Sequence, residues 1–222
     1  MLETMFDPAI LKSVIQSGII AVLEIEMIDD AIPVVDALLT GGITAIELTL
    51  RTSTAVSSIE AIAKQRPEMT IGVGTVIFSD QVAKISQAGA HFGVSPGFNP
   101  SVVDEAMRLK LPFAPGIATP SELESALSKG CKLLKFFPAE PFGGVTYLKS
   151  MNAPYSYLGL SYIPLGGING EKLPAYAAMK EVIAIGGSWI APKHLIKEHS
   201  WDEISTRAAD ARQIWIAGKQ AL

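Results

Sequence analysis

The chain has 222 residues, enough for one well-buried domain and too few for two of ordinary size, so a single domain over 1–222 is expected. Hydrophobic residues make up 49% and aromatics only 7%, which leaves Ile, Val, Leu and Ala to build the core. A net charge of −4 with no Lys/Arg cluster argues against a nucleic-acid partner, and no apolar run is long enough to span a bilayer.

In chain order, Met1–Met5 lacks a basic stretch followed by an apolar one, so no signal peptide is expected. Residues 7–17 read as a short amphipathic helix, and Gly18–Leu23 as a strand, too short for a buried helix and rich in branched residues. A helix over Asp29–Leu39 stops at Gly41-Gly42. The cycle repeats with strands Ala45–Leu50, Ile71–Gly74, His91–Val94 and Pro112–Ala114. Helices over Ala55–Lys64, Ser79–Gln87, Ser101–Leu109 and Thr119–Ser128 follow them in turn. Cys131, the one cysteine, permits no intrachain disulfide, fits a reducing cytoplasmic compartment and reads as small apolar filler. Strand six is Lys132–Phe136 with a helix over Val145–Met151; strand seven is Tyr162–Pro164 with a helix over Glu171–Met179. Val182–Ile185 is the eighth strand, and helices over Pro192–His199 and Trp201–Gly218 end the chain. Eight apolar strands separated by helices are the pattern of an α/β fold, a TIM (β/α)8 barrel with an N-terminal helix. The rival, a doubly wound open sheet, would carry a dinucleotide fingerprint after its first strand, where Leu23-Glu24-Ile25-Glu26 stands instead.

Two strands carry charges that a buried strand should lack. Leu133-Leu134-Lys135-Phe136-Phe137 holds a lysine among apolar residues, where desolvation pushes an amine toward its neutral, nucleophilic form. The plainer alternative is a strand-edge lysine reaching solvent. In Ala45–Arg51 the period of two puts Glu47, Thr49 and Arg51 on one face and Ile46, Leu48 and Leu50 on the other. The apolar set must meet the surrounding helices, so the polar set points to the barrel axis and its upper mouth, where such barrels gather catalytic residues. A Glu47–Arg51 ion pair holding the barrel end is the structural alternative. By the same alternation Leu133, Lys135 and Phe137 face inward. Phe137 then packs on a substrate or desolvates Lys135.

A neutral Lys135 would add to a 2-oxo acid carbonyl and form an imine that stabilises a neighbouring enamine. Glu47 is the candidate acid/base. Arg51 can grip a carboxylate with its fork, helped by the Thr75 hydroxyl. Gly72 and Gly74 beside it leave space for a ligand near the backbone. Gly166-Gly167 and Gly186-Gly187-Ser188 follow strands seven and eight, where barrels often bind phosphate with backbone N–H groups; bare turn geometry is the alternative. His91, His194 and His199 are scattered, so no metal site is expected. The residues alone also admit a phosphate-binding barrel isomerase or synthase whose lysine only neutralises charge, or a non-catalytic ligand-binding barrel.

Several segments together resemble the 2-keto-3-deoxy-6-phosphogluconate (KDPG) aldolase and 4-hydroxy-2-oxoglutarate (KHG) aldolase family. They are Gly41–Thr52, Gly72–Val76, Val94–Gly97, Pro115–Thr119, Lys135–Glu140, Gly166–Ile168 and Gly186–Trp189. The resemblance implies a class I, metal-independent aldolase without a cofactor. It would cleave 2-dehydro-3-deoxy-6-phospho-D-gluconate to pyruvate and D-glyceraldehyde 3-phosphate, with 4-hydroxy-2-oxoglutarate or a nonphosphorylated 2-keto-3-deoxy sugar acid as alternatives. It implies Lys135 as Schiff-base lysine, Glu47 as acid/base, Arg51 and Thr75 at the pyruvate carboxylate, and the amides of Gly167 and Ser188, with the Ser188 side chain, at the phosphate, beside Gly166 and Gly187 of the same glycine pairs. It further implies a homotrimer and a place in the Entner–Doudoroff route, with a 2-oxo acid and a phosphorylated aldehyde as small-molecule partners. The chain departs from many relatives at Glu24, where they have arginine, and at Leu165, where they have threonine. Both departures bear on the phosphate side.

Overall fold

A computed structural model of the chain describes residues 6–221; Met1–Met5, on which the signal-peptide expectation rests, lies outside them. Nine parallel strand segments form eight staves: β1 (Ile19–Leu23), β2 (Ala45–Thr49), β3 (Thr70–Gly74), β4 (Phe92–Val94), β5 (Phe113–Ala114), β6 (Gly116–Ile117), β7 (Leu133–Phe136), β8 (Ser161–Pro164) and β9 (Ile185–Gly187). Their order is β5-β4-β3-β2-β1-β9 in one sheet and β6-β7-β8 in the other. β5 and β6 are two halves of one stave, broken at Pro115, which has no N–H to donate and marks the change of partner from β4 to β7. At the other seam an isolated parallel bridge, Tyr162 to Val182, ties β8 to the residues preceding β9. The fold is the α/β barrel that the strand–helix alternation predicts.

Among the described residues, α-helices α1 (Pro8–Ser17), α2 (Ala31–Thr40), α3 (Ala55–Gln65), α4 (Ser79–Gln87), α5 (Pro100–Arg108), α6 (Pro120–Ser128), α7 (Gly144–Asn152), α8 (Leu173–Ala177), α9 (Lys193–Lys197) and α10 (Trp201–Gln220) accompany the strands. α6 starts where its sequence says it should: Thr119 Oγ1 accepts from Glu122 N, and the Glu122 carboxylate accepts from Thr119 N at 2.9 Å. Among the described residues no helix is long and apolar enough to cross a membrane.

Strand alternation produces two cores. Ile19, Ala21 and Leu23 of β1, Ile46 and Leu48 of β2, and Leu134 and Phe136 of β7 pack outward into one cluster with the helices. Ile20, Ala45, Phe92, Val94, Ala114, Leu133 and Ile163 point inward and form a second cluster, which Phe6 and Val14 join. With Ile10 and Leu11 also packed there, α1 plugs the N-terminal end of the barrel and leaves the C-terminal end for polar side chains. Each large aliphatic side chain buried this way contributes about 1.5–3 kcal/mol, so truncating the fully buried Leu48 to alanine should cost about 2–5 kcal/mol.

Two strands differ from the sequence reading by more than one residue. Gly116–Ile117 is a strand, not a loop, because its ladder partner is β7 rather than β4. The regular part of the eighth strand is Ile185–Gly187, not Val182–Ile185. Its Gly186 and Gly187 pair with Ile20 and Ala21; glycine's poor strand propensity places the strand end too early when only side chains are read.

Candidate active site

β2 and β7 each project one charged residue inward, and the two meet across the barrel. Lys135 Nζ donates to Glu47 Oε1 at 2.8 Å and Oε2 at 3.0 Å. Both residues are nearly inaccessible, 5% exposed for Lys135 and 4% for Glu47, so the lysine does not snorkel to solvent. The apolar sheath expected around Lys135 is therefore incomplete. Phe137 supplies it on one side, its ring centroid 5.4 Å from Nζ, while a carboxylate occupies another. Breaking such a buried pair by removing one partner strands the other charge and costs about 3–5 kcal/mol.

The glycines of β3 make room for neighbouring side chains rather than for a ligand, Gly74 for Glu47 and Gly72 for Phe92. A Cβ on Gly74 would lie 1.9 Å from Glu47 Oε1, and one on Gly72 would strike the Phe92 ring. Glu47 therefore reaches the lysine across a neighbouring strand that has no side chain at that point.

Arg51 lies just past β2, in the turn that follows. Its Nη1 donates to Glu24 Oε1 at 2.7 Å and its Nε to Thr75 Oγ1 at 3.3 Å. Glu47 and Arg51 thus pair with Lys135 and Glu24 rather than with each other. Thr75 holds a left-handed backbone, φ 62°, a conformation that costs a β-branched residue about 1–3 kcal/mol. It backs Arg51 and is not itself among the residues lining the cavity.

That cavity, of about 530 Å³, opens at the C-terminal strand ends. It brings together Lys135, Glu47, Arg51, Phe137, Gly166, Gly167, Gly187 and Ser188. Gly166 and Gly167 have φ of 99° and 78°, left-handed values that glycine adopts without strain. Their loop is pinned from below: Ala139 N donates to Leu165 O at 2.7 Å and Glu140 N to Gly166 O at 3.0 Å. The Glu140 carboxylate accepts from Tyr176 Oη at 2.6 Å and pairs with Lys172. Desolvation, the largest influence, pushes the Glu140 carboxyl upward, yet the bonds from Lys172 and Tyr176 outweigh it and hold it below the usual carboxylate range. Sequence reasoning quoted Glu140 in its motif without a role; its role is to position the glycine loop, which no local pattern announces.

The departures noted in the sequence both face the cavity. Leu165 is buried and fills the space that a Cβ on Gly186 would need. Glu24 points inward and pairs with Lys193 as well as Arg51. Desolvation raises its pKa most strongly, but the hydrogen bonds and charges of Lys193 and Arg51 together leave it lowered. Lys193 was missed in the sequence, although it follows the Gly186-Gly187-Ser188 segment by five residues and its charge in that loop was a usable signal. Cys131 is buried, and desolvation pushes its thiol up to about 12, so it is no nucleophile. His91 is engaged at the N-terminal side of β4, where Nδ1 accepts from Ile71 N at 2.9 Å.

The chain is 38% identical over 201 residues to the KHG/KDPG aldolase of Escherichia coli K12, covering 90% of this chain and 93% of that one. It is 38% identical over 196 residues to the 2-dehydro-3-deoxy-phosphogluconate aldolase of Treponema pallidum, covering 88% and 92%. Among solved structures, the KDPG aldolase of Legionella pneumophila, with pyruvate captured as a covalent carbinolamine, superposes with a TM-score of 0.87 at 35% identity, covering 91% and 97%. That of Zymomonas mobilis with 3-phosphoglycerate gives 0.82 at 33% identity, covering 90% and 94%. The family model for KDPG and KHG aldolase matches residues 10–207. With the barrel, the inward lysine–glutamate pair and the matched length agreeing, this chain belongs to the KDPG and KHG aldolase family.

Proposed function

We propose that this chain is a class I aldolase that cleaves 2-dehydro-3-deoxy-6-phospho-D-gluconate to pyruvate and D-glyceraldehyde 3-phosphate. The observation that carries the reading is the buried contact between Lys135 Nζ and Glu47. At 2.8 Å the carboxylate is within proton-transfer reach of the amine, so Glu47 can accept the proton that frees Lys135 as a nucleophile. Lys135 adds to the C2 carbonyl; Glu47 protonates the departing hydroxyl of the carbinolamine, and water leaves a protonated imine. Glu47 then takes the C4 hydroxyl proton, the C3–C4 bond breaks, and its electron pair forms the enamine while the aldehyde departs. Protonation at C3 and hydrolysis by one water return pyruvate and the amine. Arg51, backed by Thr75, grips the C1 carboxylate with charge-assisted bonds. Gly166, Gly167, Gly187 and Ser188 surround the distal phosphate, and Phe137 shields the amine from water.

The relatives support this reading: one is named for KDPG and another holds pyruvate as a carbinolamine. A second substrate, 4-hydroxy-2-oxoglutarate, is favoured by the Escherichia coli relative, which is named for both; it needs the same lysine and acid. We further infer that residues 1–222 act as one domain, that the protein is a cytoplasmic homotrimer, and that it serves the Entner–Doudoroff route. Light scattering at micromolar protein tests the trimer.

Incubation with pyruvate and borohydride should leave one reduced adduct on Lys135, located by intact mass and peptide mapping, and Lys135→Arg should abolish it. Pyruvate release from 2-dehydro-3-deoxy-6-phosphogluconate should persist with a chelator present. A clean mass from folded protein after borohydride would refute the proposal.

A further inference from the structure

The cavity contains two charges, Glu24 and Lys193, that the chemistry at Lys135 does not use. Glu24 lies just beyond β1 with only 17% of its side chain exposed. One carboxylate oxygen takes the 2.7 Å bond from Arg51 Nη1, and the other pairs with Lys193 Nζ. Lys193 opens α9, on the same loop as Ser188 and Trp189, and lines the cavity with them. The two cations are not equivalent. Arg51 is held at two points, by Glu24 and by Thr75. Both side chains are about half exposed, but Lys193 is held by Glu24 alone, in the kind of ion pair that adds little net stability. Its four-carbon stem and rotatable ammonium let it exchange one anion for another.

Charge balance points the same way. Lys135 and Glu47 neutralise each other, and Glu24 cancels one of the two cations on its wall. A phosphate bound against Gly167 and Ser188 gains a direct cationic partner when Lys193 turns from Glu24 toward it. When it does, Glu24 keeps its bond to Arg51, so the carboxylate end of the substrate site is undisturbed. A substrate tail without charge offers Lys193 nothing in exchange for Glu24.

We propose that Lys193 is a specificity-determining residue for the distal anion of the aldol substrate: held here by Glu24, its ammonium transfers to a phosphate or carboxylate seated beside Gly167 and Ser188. The inference rests on the Schiff-base aldolase reading and adds the residue that selects the tail.

The test compares kcat/KM for 2-dehydro-3-deoxy-6-phosphogluconate, 4-hydroxy-2-oxoglutarate and uncharged-tail 2-dehydro-3-deoxygluconate in the full chain and in Lys193→Met, Lys193→Arg and Glu24→Gln. Lys193→Met should lower the ratio of an anionic-tail to the uncharged-tail substrate by about tenfold or more, the scale of one charge-assisted hydrogen bond. Which ratio falls identifies the anion as phosphate or carboxylate. Lys193→Arg should restore most of the loss. Glu24→Gln should raise the ratio, because it removes the competing carboxylate, whatever it does to Arg51, which serves all three substrates alike. Equal losses on charged and uncharged tails, or an unchanged ratio in Lys193→Met, overturn the assignment. Pyruvate–borohydride trapping in the same proteins separates the two readings. An adduct with an unchanged ratio refutes only the role of Lys193, and no adduct in the wild type refutes the aldolase reading beneath it.

Discussion

Gly74→Ala tests whether the absence of a side chain on β3 is what allows Glu47 to reach Lys135. The added Cβ would sit 1.9 Å from Glu47 Oε1, 2.6 Å from Cδ and 2.8 Å from Cγ. All three distances are shorter than real Cβ atoms show, so the whole carboxylate must move rather than merely rotate. Reaching an ordinary contact of 3.4 Å takes Oε1 through about 1.5 Å, and the 2.8 Å bond to Lys135 Nζ does not survive that shift in its present geometry. A displacement of that size in a proton-transfer pair should cost about 10²-fold in kcat. Losing a charge-assisted bond between two buried groups should cost about 1.5–3 kcal/mol of stability, a fall in Tm of about 3–12 °C for a chain of this size. Steady-state pyruvate release and differential scanning fluorimetry read the two effects. The borohydride adduct should also form more slowly, because the amine loses its proton acceptor. Gly74→Ala protein with kcat within threefold of wild type would refute the argument that β3 was kept bare for Glu47.

Other outcomes follow from the same geometry. Thr75→Gly should remove a strain of about 1–3 kcal/mol from the left-handed backbone and raise Tm, while the slackened Arg51 weakens pyruvate capture severalfold in the trapping assay; a lower Tm would contradict the strain. Glu24 has a folded pKa held below its usual 4.5 by Lys193 and Arg51 despite desolvation. A depressed carboxylate stabilises the fold above its unfolded pKa and loses that contribution as pH falls through the folded value. The Tm advantage of wild type over Glu24→Gln should therefore be present at pH 7 and shrink below pH 4.5. Burial likewise holds His91 below its usual 6.5, so its neutral form stabilises the fold at neutral pH and that contribution fades as pH drops below 6.5; His91→Gln should flatten Tm against pH in that range. Glu140→Gln should raise KM for the phosphorylated substrate more than it lowers pyruvate trapping, since it removes the carboxylate charge that pairs with Lys172 at the far end of the Gly166–Gly167 loop and leaves Lys135 in place.

Some of this protein was legible in its residues because the information is local. A period of two sorts Ile46 and Leu48 outward and Glu47 inward without reference to any other strand, and the alternation of such strands with helices specifies the barrel. The same parity turns Lys135 and Phe137 inward together, so the buried amine and its aromatic neighbour follow from one segment. The Pro115 break and the late start of β9 were hidden because they depend on which strand lies alongside, and apolar runs report burial rather than partners. Most of the electrostatics were hidden for the same reason. Glu47 and Lys135 are 88 residues apart, and either could have been given Arg51 or solvent. Glu24 meets Lys193 only because the first and last staves of the closed barrel are neighbours. Residue type and parity dictate which charges are buried; only closure of the barrel decides which pairs they form, because a charge's energy depends on distance in space and not along the chain.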